Sequence, residues 1–339
     1  MPNAYKVAAV QAEPIWFDID ATVAKTIDLI EQAANAGAEL VAFPETWIPG
    51  YPHFLWLGPV VNQMPYVARY HANSLSTKGP EIAAIRDAAR KHNITVAVGY
   101  SEKAGGTLYM SQSVFGPAGQ VLIHRRKLKP SHVERSLFGE GDGSDLQVVD
   151  TPLGRLGALN CWEHLQPLTK YAMYAQNEQV HISGWPCFGL YKGIAHGLGE
   201  AANMAASLVY ALEGSCFVIA STQTVSIAGG IDVFCSTEEQ RTMLQPGGGA
   251  SRVYSPDGQI ISNLLAEDQE GLVFAEIDLD QIVFAKNAAD PAGHYSRPDV
   301  TRLLFDNRPH PAVVTGLTLP VEATFPDLDD STLDLTILA

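Results

Sequence analysis

Two kinds of apolar spacing alternate along the first hundred positions. Over 5–12, Val7, Ala8, Ala9 and Val10 follow one another without a polar break. That run is too continuous for a strand with one wet face, so it predicts a strand covered on both sides. Over 18–36, Val23, Ile27, Ile30 and Ala34 recur at helical spacing, and Gly37 marks the stop. An apolar strand over 39–43 follows at once, and the same order returns as a helix over 79–92 and a strand over 94–100. Strand–helix–strand alternation of this kind predicts an α/β layered fold.

The middle of the chain changes character. Apolar stretches over 109–115 and 120–124 flank Gly116-Pro117-Ala118-Gly119, a hairpin signal. Much later, 251–254 and 259–262 flank Ser255-Pro256-Asp257-Gly258 in the same way. The likeness of the two stretches reads as one hairpin used twice, within an internally duplicated sheet arrangement. Between them the pattern predicts strands over 154–160, 179–183 and 216–222, with helices over 165–176 and 195–213. Two sheets packed face to face with helices outside account for apolar strands in both halves.

Composition narrows the class. Of 339 residues, 46% are apolar and 17% charged, which fits a folded globular chain. Twenty-two Lys and Arg against 37 Asp and Glu give a net charge of −15, which argues against nucleic-acid and anionic-membrane partners. No stretch approaches the roughly 20 apolar residues of a membrane span. The beginning lacks a basic segment followed by an apolar core, so a cytoplasmic location is expected. Cys161, Cys187, Cys216 and Cys235 are too few and scattered for a disulfide framework, and none has zinc-site spacing. Glu322, Asp327, Asp329, Asp330 and Asp334, with no Lys or Arg among them, predict an acidic C-terminal tail over 311–339.

Cys161 is the leading candidate for chemistry. It closes the apolar run Ala158-Leu159-Asn160 and opens Trp162-Glu163-His164. A thiol at such a junction can lie near backbone amides that lower its pKa and receive developing negative charge, although a buried structural cysteine has the same signature. Glu45 follows the strand Val41-Ala42-Phe43 through Pro44, and reads as either a solvated or a functional carboxylate. Lys127 stands in the basic run Arg125-Arg126-Lys127-Leu128-Lys129, and Glu134 is adjacent to Arg135. Two-residue spacing puts Lys127 and Lys129 on one face of an extended segment, so geometry leaves that choice open.

Three of these segments together resemble the carbon–nitrogen hydrolase (nitrilase) superfamily, and within it the true nitrilase branch. They are Phe43-Pro44-Glu45-Thr46-Trp47, the run from Arg125 through Lys127-Leu128-Lys129-Pro130-Ser131-His132-Val133-Glu134 to Arg135, and Leu159-Asn160-Cys161-Trp162-Glu163-His164. The similarity spans roughly 5–310 and includes the distal Gly293-His294-Tyr295-Ser296-Arg297-Pro298-Asp299. It implies a four-layer α-β-β-α sandwich, a single catalytic domain over 1–310, and catalytic roles for Glu45, Lys127, Glu134 and Cys161. It also decides for Lys127 over Lys129. No cofactor or metal is implied. The implied partners are a small organic nitrile and water, with assembly as a homodimer that extends into a larger or spiral homo-oligomer. The segments around 161–167 and 177–186 look most like arylacetonitrilases, so an arylacetonitrile is the expected substrate, with aliphatic nitriles, cyanide and carboxamides as alternatives. Trp47, Tyr51, His132, Trp162, Trp185, Pro186 and Cys187 are the expected pocket residues. His132 and His164 are expected to make local hydrogen bonds rather than to act as the base of a Cys–His pair.

Overall fold

The computed structural model describes residues 4–311 and 313. Residues up to Arg308 form one compact unit. Beyond it, 309–311 and 313 carry no regular secondary structure, and the expected acidic tail over 311–339 otherwise lies outside the described residues.

Among the described residues, twelve strands form a single, nearly closed mixed sheet. In chain order they are β1 (Ala4–Ala12), β2 (Ala38–Ala42), β3 (Thr95–Ala104), β4 (Thr107–Phe115), β5 (Val121–Arg126), β6 (Phe138–Gly139), β7 (Val148–Thr151), β8 (Gly154–Asn160), β9 (Val180–Trp185), β10 (Phe217–Gln223), β11 (Arg252–Tyr254) and β12 (Gly271–Asp278). One half runs β12-β1-β2-β3-β4-β5 and the other β11-β10-β9-β8-β7. In each half a central set of parallel strands is flanked by antiparallel ones. Among the described residues, strand pairing joins the halves only between β1 and β10, at Gln11 with Thr222 and Ala12 with Gln223.

The continuous apolar strands have the cause inferred from the pattern. Val7 and Ala9 of β1 face the core between the half-sheets, beside Leu40, Ile182 and Ile219. Ala8 and Val10 face outward, under helices α1 (Ile19–Asn35) and α3 (Pro80–His92). On the far side, Val218 and Ala220 pack against α4 (Pro167–Tyr174) and α5 (Glu200–Gly214). This gives four layers in the order α-β-β-α.

Helix limits follow local chemistry. The Asp18 side chain accepts from the Ala21 N–H at 2.9 Å and starts α1. The helix expected from 165 begins at Pro167 instead, because the preceding Cys161–Leu165 segment is a tight 3₁₀ turn and proline suits the first helical position. The helix expected from 195 begins at Glu200, past Gly197 and Gly199. Helix α2 (Val60–Ala72) was not read from the sequence; Pro65 lies inside it, and Val60, Val61 and Met64 are exposed.

The two hairpin turns share their hydrogen bonds. Gly116 N–H donates to Gln120 O and Gly119 N–H to Gly116 O, just as Ser255 N–H donates to Gln259 O and Gly258 N–H to Ser255 O. Gly119 and Gly258 occupy the same left-handed region, at φ 74° and 81°. The second hairpin differs in its return arm, which shrinks to one bridge between Tyr254 and Ile260.

Close approach of β3 to the turn after β2 depends on Gly99. A Cβ there would collide with the Pro44 carbonyl oxygen and lie 3.0 Å from Thr46 N and 3.1 Å from Glu45 Cα. Gly99→Ala is therefore expected to lower unfolding stability by about 1–3 kcal/mol, the usual cost of overpacking, as read from denaturant titration.

Candidate active site

Three strands deliver side chains to one place between the half-sheets. Glu45 follows β2, Lys127 follows β5 directly and Cys161 follows β8 directly. Glu134 comes from the short turn His132–Ser136. The Lys127 Nζ donates to Glu45 Oε1 and to Glu134 Oε2, both at 2.8 Å. One carboxylate oxygen of each glutamate and the Cys161 Sγ lie within 4.8 Å of one another. Glu134 is held by the Ser131 N–H at 2.6 Å and the Tyr51 hydroxyl at 2.9 Å. Glu45 is held through its backbone, which donates to Trp185 O at 3.3 Å and accepts from Gln223 Nε2 at 2.7 Å. Its Oε2 has no hydrogen-bond partner among the described residues.

All four side chains are buried, and burial shifts the titration of Glu45, Lys127 and Cys161 before their neighbours act on it. It pushes Glu45 up to about 8, partly opposed by Lys127 and reinforced by Glu134. For Lys127, burial alone would favour the neutral amine, but Glu134 and Glu45 outweigh it and hold the ammonium. Cys161 was expected to have a lowered pKa. Burial and the Glu45 carboxylate instead raise it well above an ordinary thiol, against the opposing pull of Lys127 and the Trp162 N–H. The resting group is thus a thiol beside a carboxyl group more basic than an ordinary glutamate.

A second buried ion pair fixes the lysine and cysteine segments together. Arg125 donates to Glu163 Oε1 at 2.6 Å, and the same oxygen accepts from Leu128 N–H at 2.8 Å. The other oxygen accepts from Asn160 N–H at 2.7 Å. Burial would raise Glu163, but Arg125 and these N–H groups hold it below the usual carboxylate range. Arg125 also donates to Gln112 Oε1 at 2.9 Å. Reading 125–129 as a basic run concealed this residue. Its strand position, two before Lys127, was the available signal.

Lys127 and Lys129 separate cleanly. β5 ends at Arg126, and the chain then turns so that Lys127 is 0% exposed, whereas the Lys129 side chain is 59% exposed and pairs with Glu140. Of the two histidines, His164 hydrogen-bonds the Cys161 carbonyl at 2.6 Å, and His132 stacks on Trp56 with ring centroids 5.1 Å apart.

A narrow cavity of about 40 Å³ opens onto Cys161 and Glu134. Tyr51, His132, Trp162, Pro186 and Cys187 line it, joined by Trp56, Phe188 and Asn203, which sequence reasoning had not singled out. Trp47 and Trp185 do not line it. Trp47 turns into the layer under α1 and donates to Thr26 Oγ1 at 2.8 Å. Trp185 turns into the layer under α5 and donates to Ser183 and Ser207. Proximity to Glu45 and Cys187 in sequence placed their backbones correctly but not their indoles. The spacing of Glu45, Glu134 and Cys161 is one a metal ion could span, yet the cation that meets both carboxylates is the Lys127 ammonium.

The family described as carbon–nitrogen hydrolase matches residues 6–287. A nitrilase of Pseudomonas syringae pv. syringae (strain B728a) is 53% identical over 95% of this chain and 96% of its own length. An aliphatic nitrilase of Rhodococcus rhodochrous is 51% identical over 93% of this chain and 86% of its own. An arylacetone-specific nitrilase of Alcaligenes faecalis is 48% identical over 89% and 84%. The expected special likeness to arylacetonitrilases is therefore replaced by a general one, in which aliphatic and unspecified nitrilases match at least as well.

Removing one member of the Arg125–Glu163 pair leaves a buried charge uncompensated. Glu163→Ala is expected to destabilise the fold by about 3–5 kcal/mol in denaturant unfolding. Lys129→Ala, on the surface, should stay within about 0.5 kcal/mol of the parent.

Proposed function

The chain belongs to the carbon–nitrogen hydrolase family, and from that premise we propose that it is a nitrilase converting an organic nitrile and two waters to a carboxylic acid and ammonia. The observation that carries this reading is the buried Lys127 ammonium bonded to Glu45 and Glu134, with the Cys161 thiol beside both carboxylates at the cavity floor.

In this reading Glu45 takes the thiol proton as Cys161 attacks the nitrile carbon, forming the C–S bond of a thioimidate. Negative charge develops on the nitrile nitrogen, where Lys127 and the Trp162 N–H stabilise it and Glu45 returns the proton. Water activated by Glu45 adds to the thioimidate carbon. Collapse of the tetrahedral adduct breaks the C–N bond, and ammonia leaves with the transferred proton. A second water releases the acyl group as acid and restores the thiol. Glu134 holds Lys127 in place through its 2.8 Å contact and is itself fixed by Tyr51 and Ser131. No step calls on a group that the chain does not itself supply.

For the substrate, a short aliphatic nitrile is the first choice and an arylacetonitrile the second. A cyano group on a slender chain suits the narrow cavity. His132 and Trp162 line both this cavity and a neighbouring one of about 360 Å³. The relatives include both an aliphatic and an arylacetone-specific nitrilase.

Two measurements test the proposal. Ammonia, acid and amide are followed with a short aliphatic dinitrile, phenylacetonitrile, mandelonitrile, benzonitrile and cyanide, using the parent and Cys161→Ala. Acid and ammonia from the aliphatic nitrile, absent in the variant, are expected. Preference for phenylacetonitrile would reverse the substrate order, and turnover of carboxamides alone would overturn nitrile hydrolysis. The second is the pH profile of kcat/KM. Glu45 must be ionised to act as base, and its pKa is raised, so activity should fall as pH drops through a limb displaced from the ordinary glutamate range toward about 8. That limb belongs to the coupled Glu45–Lys127–Glu134–Cys161 set. A limb near 4 would remove Glu45 as the controlling base.

A further inference from the structure

Behind Cys161, on the side away from the substrate cavity, lies a file of buried polar groups that the proposed reaction does not use. His164 Nδ1 is 2.6 Å from the Cys161 carbonyl oxygen. His164 Nε2 is 2.9 Å from His181 Nε2, and His181 Nδ1 is 2.7 Å from Glu178 Oε1. The Tyr210 hydroxyl donates to the other Glu178 oxygen at 2.6 Å. His164, His181 and Glu178 are each at most 1% exposed. Space for the carboxyl is made by Gly157 of β8, where a Cβ would collide with Glu178 Oε1.

The donors in this file can be ordered by elimination. A carbonyl oxygen only accepts, so His164 Nδ1 carries hydrogen. In the neutral ring His164 Nε2 is then a lone pair, and His181 Nε2–H is the donor facing it. Neutral His181 has its lone pair on Nδ1, which requires a proton on Glu178. Burial favours this arrangement, since it pushes the Glu178 carboxyl up to about 8 with only the Tyr210 hydroxyl opposing. Burial, with Arg125 nearby, also disfavours a charge on His181. Burial and His181 keep His164 neutral. Hydroxyls and rings pack beside the file, with the Cys216 thiol near Glu178 and Tyr210, and Glu163 and Lys170 act on His164. Ser183 Oγ lies 3.0 Å from His164 Nε2, and the rings of Trp185 and Tyr210 stack on His164 and His181.

We propose that Glu178, His181 and His164 form a positioning chain that fixes His164 with its hydrogen on Nδ1, and so holds and polarises the Cys161–Trp162 peptide. Two effects follow from one hydrogen bond. Cys161 sits in the left-handed region at φ 46°, a conformation that costs a non-glycine residue of order 1 kcal/mol and needs support from its surroundings. The bond from His164 supplies support at the carbonyl that this conformation turns inward. The same peptide unit carries the Trp162 N–H that favours the Cys161 thiolate. Drawing density toward a hydrogen-bonded carbonyl oxygen makes the N–H of that peptide a better donor. His164 thus acts on the nucleophile through the backbone without touching substrate.

The inference rests on Cys161 being the nucleophile, and its test is read at the thiol itself. Alkylation of Cys161 by iodoacetamide is followed across pH by peptide mass mapping, beside kcat and KM. An asparagine amide can stand in for Nδ1–H, whereas a glutamine amide sits at the Nε2 position. His164→Asn should therefore alkylate within about threefold of the parent. His164→Gln should be slowed at least about tenfold, with its thiol profile moved to higher pH and kcat lowered at little change in KM. Glu178→Gln keeps a donor toward His181 and should follow His164→Asn, whereas Glu178→Met should follow His164→Gln. Parent-like alkylation by His164→Gln overturns the proposal, as does an equal loss in the Asn and Gln variants of His164. A tenfold loss in Glu178→Gln overturns the donor order, whether or not Glu178→Met folds. If the parent hydrolyses no nitrile, the proposed reaction fails while these alkylation ratios still decide on the chain.

Discussion

The Lys127 ammonium is fully buried, so its charge depends on Glu45 and Glu134. An isolated ammonium at such a depth would lose its proton, and either carboxylate alone would gain one. Together they carry a formal excess of one negative charge, which falls on groups that cannot spread it into solvent. Burial, reinforced by that excess, keeps the neighbouring Cys161 a thiol, and burial with Glu134 beside it makes Glu45 basic. A thiolate formed in advance would add a second uncompensated charge to the same space. In the proposed reaction, proton transfer at the moment of attack avoids that cost, because Glu45 is neutralised as negative charge moves to the substrate.

Such a cluster demands a rigid frame, and the duplicated sheet provides one. Glu45 and Cys161 stand at the ends of strands from different half-sheets, and Lys127 stands at the end of a hairpin arm. Their relative position is therefore only as good as the joint between halves. The β1–β10 pairing is brief, so side chains carry much of the tie. Gln223, at the end of β10, donates to the Glu45 carbonyl and accepts from Tyr51 N–H, while Glu163 joins the lysine and cysteine segments. Buried hydrogen bonds of this kind cost free energy when broken singly, which makes the joint cooperative.

Much of this was legible in the sequence, and the exceptions share a cause. Strands buried on both faces announce themselves by unbroken apolar runs, so β1, β2, β8, β9 and β10 could be read within a residue or two. β12 was not read, because Leu272, Val273, Phe274 and Ala275 mix with Glu276 and Asp278 in no clean alternation, and its partner β1 lies over 250 positions away. Residue types and spacing brought Glu45, Lys127, Glu134 and Cys161 to notice, but side-chain direction was not available from spacing. Trp47 and Trp185 are the cost of that gap, since each follows a site strand yet points into a helix-covered layer. The thiol pKa was misjudged for a related reason. Local sequence shows the Trp162 amide beside Cys161, but burial against a carboxylate from position 45 is a tertiary fact, and here the tertiary effect is larger.

The segment Cys161-Trp162-Glu163-His164 shows why a single 3₁₀ turn stands between β8 and the helix that follows it. In one tight turn, four successive side chains must leave in four directions. Cys161 faces the carboxylates, and Trp162 faces the cavity and donates to Asn203 at 2.9 Å. Glu163 turns to Arg125, and His164 turns back under the Cys161 carbonyl. An α-helix starting at Cys161 would place its carbonyl in the i to i+4 ladder, directed at the Leu165 N–H rather than at an imidazole. The left-handed φ of Cys161 releases that carbonyl toward His164 while leaving the following N–H beside the sulfur. Strain at one residue is thus what lets one peptide unit be held from behind and still donate in front.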